Sequence, residues 1–120
     1  MKLRIKNNSI RFRLTKSDVS QLATTGSLQD GVSFGASMLE FAVNVTNSDV
    51  LWATFAENKV TLLLPHQMVT ELAETDRVGF EGTENGLHLL VEKDFTCLEN
   101  VAEDQSDNYP NPLAQQKVES

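Results

Sequence analysis

One cysteine, three prolines, one tryptophan and one tyrosine are all that this 120-residue chain holds of those residue types. With Cys97 as the single thiol, no intrachain disulfide can form, and a reducing cytosol is the expected setting. No apolar run is long enough to cross a bilayer, and the charged start at Lys2, Arg4 and Lys6 is unlike a signal peptide, so no membrane partner is expected. The Asn44-Val45-Thr46 sequon accordingly carries no weight as a glycosylation site. Cations are scarce too. Ten Lys and Arg face seventeen Asp and Glu, a formal net charge of −7 that argues against nucleic acid as the default partner.

Six of those ten cations are gathered in one place. Lys2, Arg4, Lys6, Arg11, Arg13 and Lys16 all precede the first acid, so everything after them is strongly acidic. The hydrophobic share of 40% is that of an ordinary globular domain able to bury its own core.

The strongest signal is a stretch that occurs twice. IRFRLTKSDVSQLATT at 10–25 and VTLLLPHQMVTELAET at 60–75 align at an offset of fifty, pairing Ile10 with Val60, Leu14 with Leu64, Val19 with Val69, Leu22 with Leu72 and Thr25 with Thr75. The match runs back through Ile5 and Phe55, and Asn8 and Asn58. With small gaps it runs forward, pairing Val32 and Phe34 with Val78 and Phe80, and Leu39 and Phe41 with Leu87 and Leu89.

Local patterning gives each copy the same elements. Leu3 and Ile5, then Ile10, Phe12 and Leu14, alternate with charged residues as two half-buried strands around an Asn7-Asn8 turn. Thr15 is placed to cap a helix, with Asp18 three residues on, Val19, Leu22 and Ala23 as its apolar stripe and Gly26 as its stop. Val32 and Phe34 read as a short strand, and Leu39, Phe41, Val43 and Val45 as another. The second copy repeats this with Ala53 and Phe55, a Glu57-Asn58 turn, Val60 to Leu64, a helix after Pro65, and two strands around Gly82–Gly86. The expected class is α+β, mainly antiparallel. One duplicated domain spans 1–98, in halves of about 1–49 and 50–98. An acidic, proline-containing tail follows at 99–120, its end expected to be disordered.

A strand-strand-helix-strand-strand unit over Lys2 to Lys93 is similar to the swapped-hairpin unit of AbrB-like regulators. That resemblance implies two units interleaved into a small pseudo-twofold barrel, and basic residues of the unit placed on DNA. In wording, Met1 to Lys6, Ala73 to Asp76, Val91 to Leu98, Glu103-Asp104 and Tyr109 to Pro112 resemble a small uncharacterised bacterial family, which implies no activity.

Alternation places Lys2, Arg4, Lys6, Arg11 and Arg13 on one face of the first hairpin, the leading candidate binding surface. Like charges placed opposite one another cost stability unless answered. Cross-strand acids such as Glu81, Glu92 and Asp94, the chain's own acidic tail, or an anionic partner could answer them. The matching positions of the second copy are Trp52, Thr54, Ala56, Thr61 and Leu63, so a symmetric grip on DNA is not expected. Trp52 and Leu63 on that outer face are candidates for a protein interface, a homodimer included. Cys97, His66 and His88 lack metal-ligand spacing. The acids Glu71, Glu74, Asp76, Glu81 and Glu84 read as a solvated face. Gly79, Gly82 and Gly86 precede no helix and so form no phosphate loop. No catalytic residue, metal or cofactor is expected. The expectation is a non-enzymatic cytosolic binding module of unknown partner, or alternatively an AbrB-like DNA-binding transcriptional regulator.

Overall fold

The turns of four hairpins are written locally. A computed structural model describes residues 1–95 and 106–110. In it β1 (Lys2–Lys6) and β2 (Ser9–Leu14) are joined through Asn7 at φ 53. β5 (Trp52–Ala56) and β6 (Lys59–Pro65) are joined through Glu57 and Asn58 at φ 52 and 62. The β7 (Gly79–Glu84) to β8 (Leu87–Lys93) turn uses Asn85-Gly86 at φ 52 and 82. Such left-handed turn residues match the twist of tight hairpins. β3 (Ser27–Ser33) and β4 (Met38–Thr46) complete the set.

The helices start differently. At α1 (Lys16–Thr25), Thr15 Oγ1 accepts the Asp18 N–H while Asp18 accepts the Thr15 N–H, a reciprocal cap. The Met1 ammonium lies 2.8 Å from the same Asp18 carboxylate. Gly26 ends α1 in the left-handed conformation. α2 (His66–Glu74) follows Pro65 with no side-chain cap.

Long-range pairing interleaves the two halves. One sheet runs β1-β2-β8-β7 and the other β3-β4-β6-β5, so each takes one hairpin from each half. Outer pairs are antiparallel, while the central pairs β2–β8 and β4–β6 are parallel. Ile10 faces Leu89 in one sheet, and Val60 faces Phe41 in the other. Asn8 O accepts from His88 N, and its repeat partner Asn58 O accepts from Glu40 N. Phe12, Leu14, Val43, Leu62, Leu64, Leu89 and Val91 form the centre of the core, capped by Val19, Leu22, Val69 and Leu72 of the two helices, which touch one another.

Three expectations need correction. The sheets do not close into a barrel; the α+β class holds, but they remain two four-stranded mixed sheets, with no ladder joining them among the described residues. The strand after α1 begins at Ser27, directly after Gly26, so Leu28 rather than Phe34 answers to Phe80: Leu28 faces Val43, and Phe80 faces Val91. The second copy has its extra residues between α2 and β7, which is where the assumed gap fails. Val32 and Phe34 are instead exposed, as is Phe55 at 70%, because these positions lie past the last buried row of their sheet.

Residues 106–110 clip the start of α1 to the end of β8. Lys16 N–H donates to the Asp107 carbonyl, and Tyr109 N–H donates to the Asp94 carbonyl. Tyr109 meets Phe95 edge-on at 5.9 Å and lies under Lys93 Nζ, 4.9 Å from its ring centre. The acidic tail is one of the expected answers to the basic hairpin. Its described piece sits here against lysines, and the rest of 99–112, with Cys97, lies outside the described residues.

This clip sets a pH window. Hydrogen bonds from the Thr15 and Ser17 side chains hold the Asp107 carboxyl below its ordinary value of 3.8. Its contribution is therefore present above that value and is lost as the pH falls through the lowered one. Burial first, then the charges of Asp107 and Asp18, push the Tyr109 phenol above its ordinary 10.0. Its contribution is present below pH 10.0 and is lost as the pH rises through the raised value. Tyr109 is the chain's single tyrosine, so tyrosinate absorbance reads it directly. The midpoint should exceed 10.0 and fall in Asp107→Asn; a midpoint at or below 10.0, unmoved by that substitution, would show the clip open.

Candidate anion-binding face

β-Strand alternation and register fix the outer face of the β1-β2-β8-β7 sheet. One rung carries Lys2, Arg13, Glu92 and Gly79. The next carries Arg4, Arg11, Leu90 and Glu81, and a third Lys6, Ser9, His88 and Thr83. All five predicted cations are thus brought together on the β1-β2 half. The face is positive at one edge and turns acidic toward β7.

Ion pairs answer part of this charge. Glu92 alone serves two arginines, 3.4 Å from Arg11 Nε and 3.3 Å from Arg13 Nε. Lys2 Nζ lies 3.3 Å from Asp94 Oδ2, near enough to pair charges with that buried carboxylate, although the contact is not aligned as a hydrogen bond. Glu81, expected to answer the cations, pairs instead with His88 at 3.2 Å. Among the described residues Arg4, Lys6 and the Ser9 hydroxyl have neither ion-pair nor hydrogen-bond partner. Arg4 and Arg11 stand directly opposite each other, and so do Lys6 and Ser9. These four side chains line a recess of about 160 Å³ that is open to solvent. Alternation revealed the cations; the recess, and Ser9's part in it, depend on cross-strand register, which the sequence does not state.

Among the described residues the repeat-related face carries one cation, Lys59, and it is paired with Glu40 at 3.8 Å on the same rung. Trp52 and Leu63 lie directly opposite one another, both half-buried, beside a cavity of about 370 Å³ also lined by Thr46, Ser48, Val50 and Glu84. Thr54, Ala56 and Thr61 also lie on that face, with Lys59 directly opposite Ala56. His66 is exposed at the start of α2, with its carbonyl accepting from Thr70 Oγ1. Glu71, Glu74, Asp76, Glu81 and Glu84 are all exposed, and no cluster of three or more metal-ligating side chains occurs among the described residues. Gly79 and Gly82 lie within β7 and Gly86 in the turn after it. At Gly79 an added Cβ would stand 2.4 Å from the Val91 carbonyl oxygen, so this glycine serves close strand packing. No helix among the described residues is long and apolar enough to span a membrane.

A family model described as a family of unknown function (DUF7009) matches residues 1–113, and the chain belongs to that family. No curated protein and no solved structure matches it.

Proposed function

We propose that this member of the DUF7009 family is a non-enzymatic binding module and that the β1-β2 outer face, with Lys2, Arg4, Lys6, Arg11 and Arg13, is its contact surface for an anionic partner. The observation that carries this reading is the charge imbalance of the face. One carboxylate, Glu92, serves two arginines, while Arg4 and Lys6 have no ion-pair partner among the described residues. A chain of net charge −7 has acids to spare for neutralising five cations, yet its register places few of them here. Uncompensated like charges across a ladder cost stability in the free protein, and an anion restores the balance. The alternative of AbrB-like duplex binding has less support, because the repeat-related face of Trp52, Thr54, Ala56, Thr61 and Leu63 adds, among the described residues, a single cation, Lys59, already paired with Glu40.

Retention on immobilised heparin at low salt tests the proposal. The full chain is expected to bind despite its acidic total, and Arg4→Gln with Arg11→Gln to elute at markedly lower salt. Thr54→Gln with Thr61→Gln, on the repeat-related face, should change nothing. Absence of retention, or equal retention in both variants, would reject this surface.

A further inference from the structure

Resting on that reading of the face, we propose that the recess between Arg4, Lys6, Ser9 and Arg11 seats a single phosphoryl group presented as a monoester. Two adjacent same-face rungs supply it, Arg4 opposite Arg11 and Lys6 opposite Ser9. Strands sit about 4.8 Å apart and same-face residues about 6–7 Å along a strand. Four side chains on such a frame line a recess of about 160 Å³, ample for one tetrahedral oxyanion. Its lining is rich in donors: two guanidinium groups, an ammonium and a hydroxyl, with no carboxylate among them. Glu92 holds Arg11 from the side, which steadies one fork of the site. Arg4, Lys6 and the Ser9 hydroxyl have no competing partner among the described residues.

The ligand chemistry follows from the donor arrangement. A carboxylate presents two oxygens in a plane and leaves part of such a ring of donors unused. A phosphodiester has two free oxygens and needs two exits for its chain. A monoester presents three terminal oxygens to the four donor groups and needs one exit, on the solvent side where Arg4 and Lys6 are exposed. Its second ionisation near pH 6 takes it from one negative charge toward two. Binding should therefore tighten as the pH rises through about 6.

The test uses the full-length protein, with inorganic phosphate and phenyl phosphate as ligands and backbone amide shifts of Ser9 and Arg11 as readout. Sulfate, a dianion across this range, is titrated in parallel. Any change in the charge of His88, Glu81, Glu92 or Asp94, the other ionisable groups on this face or paired with its cations, then affects both anions alike. Phosphate and phenyl phosphate are expected to gain several-fold over sulfate between about pH 5 and 7.5. Arg4→Gln should weaken both by about tenfold or more. Ser9→Ala should weaken them about threefold, a larger loss than any in heparin retention, because it removes a hydrogen-bond donor but no charge. If phenyl phosphate binds no better than benzoate, or Ser9→Ala has no effect while heparin retention persists, the recess proposal fails and the face remains a diffuse polyanion surface. A short DNA duplex that shifts these amides more strongly than phenyl phosphate at equal phosphate concentration would equally overturn the monoester assignment. Loss of the charge dependence on heparin would instead reject the underlying face.

Discussion

Residues 1–49 and 50–98, produced separately, are each expected to remain unfolded, and mixing them is expected to restore structure. Each half carries two hairpins, and the fold sends them to different sheets. The ladders that complete either sheet, β2 with β8 and β4 with β6, both join the halves. Within one half, a hairpin would have to stand alone, which is marginal in water. The core divides the same way: Phe12 and Leu14 sit beside Val91 in one sheet, and Val43 beside Leu62 in the other. Circular dichroism and thermal melting of the fragments and of their mixture measure this. A half that is monomeric and melts cooperatively on its own would contradict the interleaved pairing.

Phe12→Ala should cost about 3–5 kcal/mol, and its repeat counterpart Leu62→Ala about 2–5 kcal/mol. Both side chains are fully buried on the central parallel pairs. Truncation removes apolar contact and leaves a cavity that two sheets and two helices cannot easily collapse. For a domain of this size such a loss is a large fraction of the total stability, typically about 5–15 kcal/mol. Urea unfolding would report it as a lower midpoint at an unchanged slope. A loss below about 1 kcal/mol at either site would mean that the position is not a close-packed centre of the core.

The duplication was legible because its apolar spacing is strict at Ile10, Phe12, Leu14, Val19 and Leu22, and because turn residues are local instructions. Asn7, Asn58 and Asn85 take the positive φ that their place between alternating runs implies. The Thr15 cap and Gly26 stop were legible for the same reason. Strand partners were less so. The fifty-residue offset says which strands are equivalent, while hydrogen-bond pairing between β2 and β8 depends on contacts some eighty residues apart. The start of β3 was misplaced because Val32 and Phe34 are apolar enough to mimic an inward row, although they lie beyond the buried core. Closure into a barrel came from resemblance, and nothing in the alternation of β1 or β5 specifies a partner for its outer edge.

At the candidate face, alternation placed the five cations together but could not pair them. That Glu92 rather than Glu81 would meet the arginines follows from Arg13 lying opposite Glu92, whereas Glu81 sits two strands from Arg11 across Leu90. The docking of Tyr109 was hidden for a related reason. Its partners, Phe95, Lys93 and Asp94, come from the end of β8, and Lys16 from α1.

The salt dependence of heparin binding is the most direct measurement of whether the β1-β2 face is the working surface. Each cation that contacts a polyanion contributes about one unit to the slope of log affinity against log salt concentration. Replacing Arg4 and Lys6 by glutamine should therefore flatten the slope by about two units while leaving the unfolding midpoint unchanged or slightly raised. A slope identical to that of the parent chain would show that the anion binds elsewhere and would contradict the account.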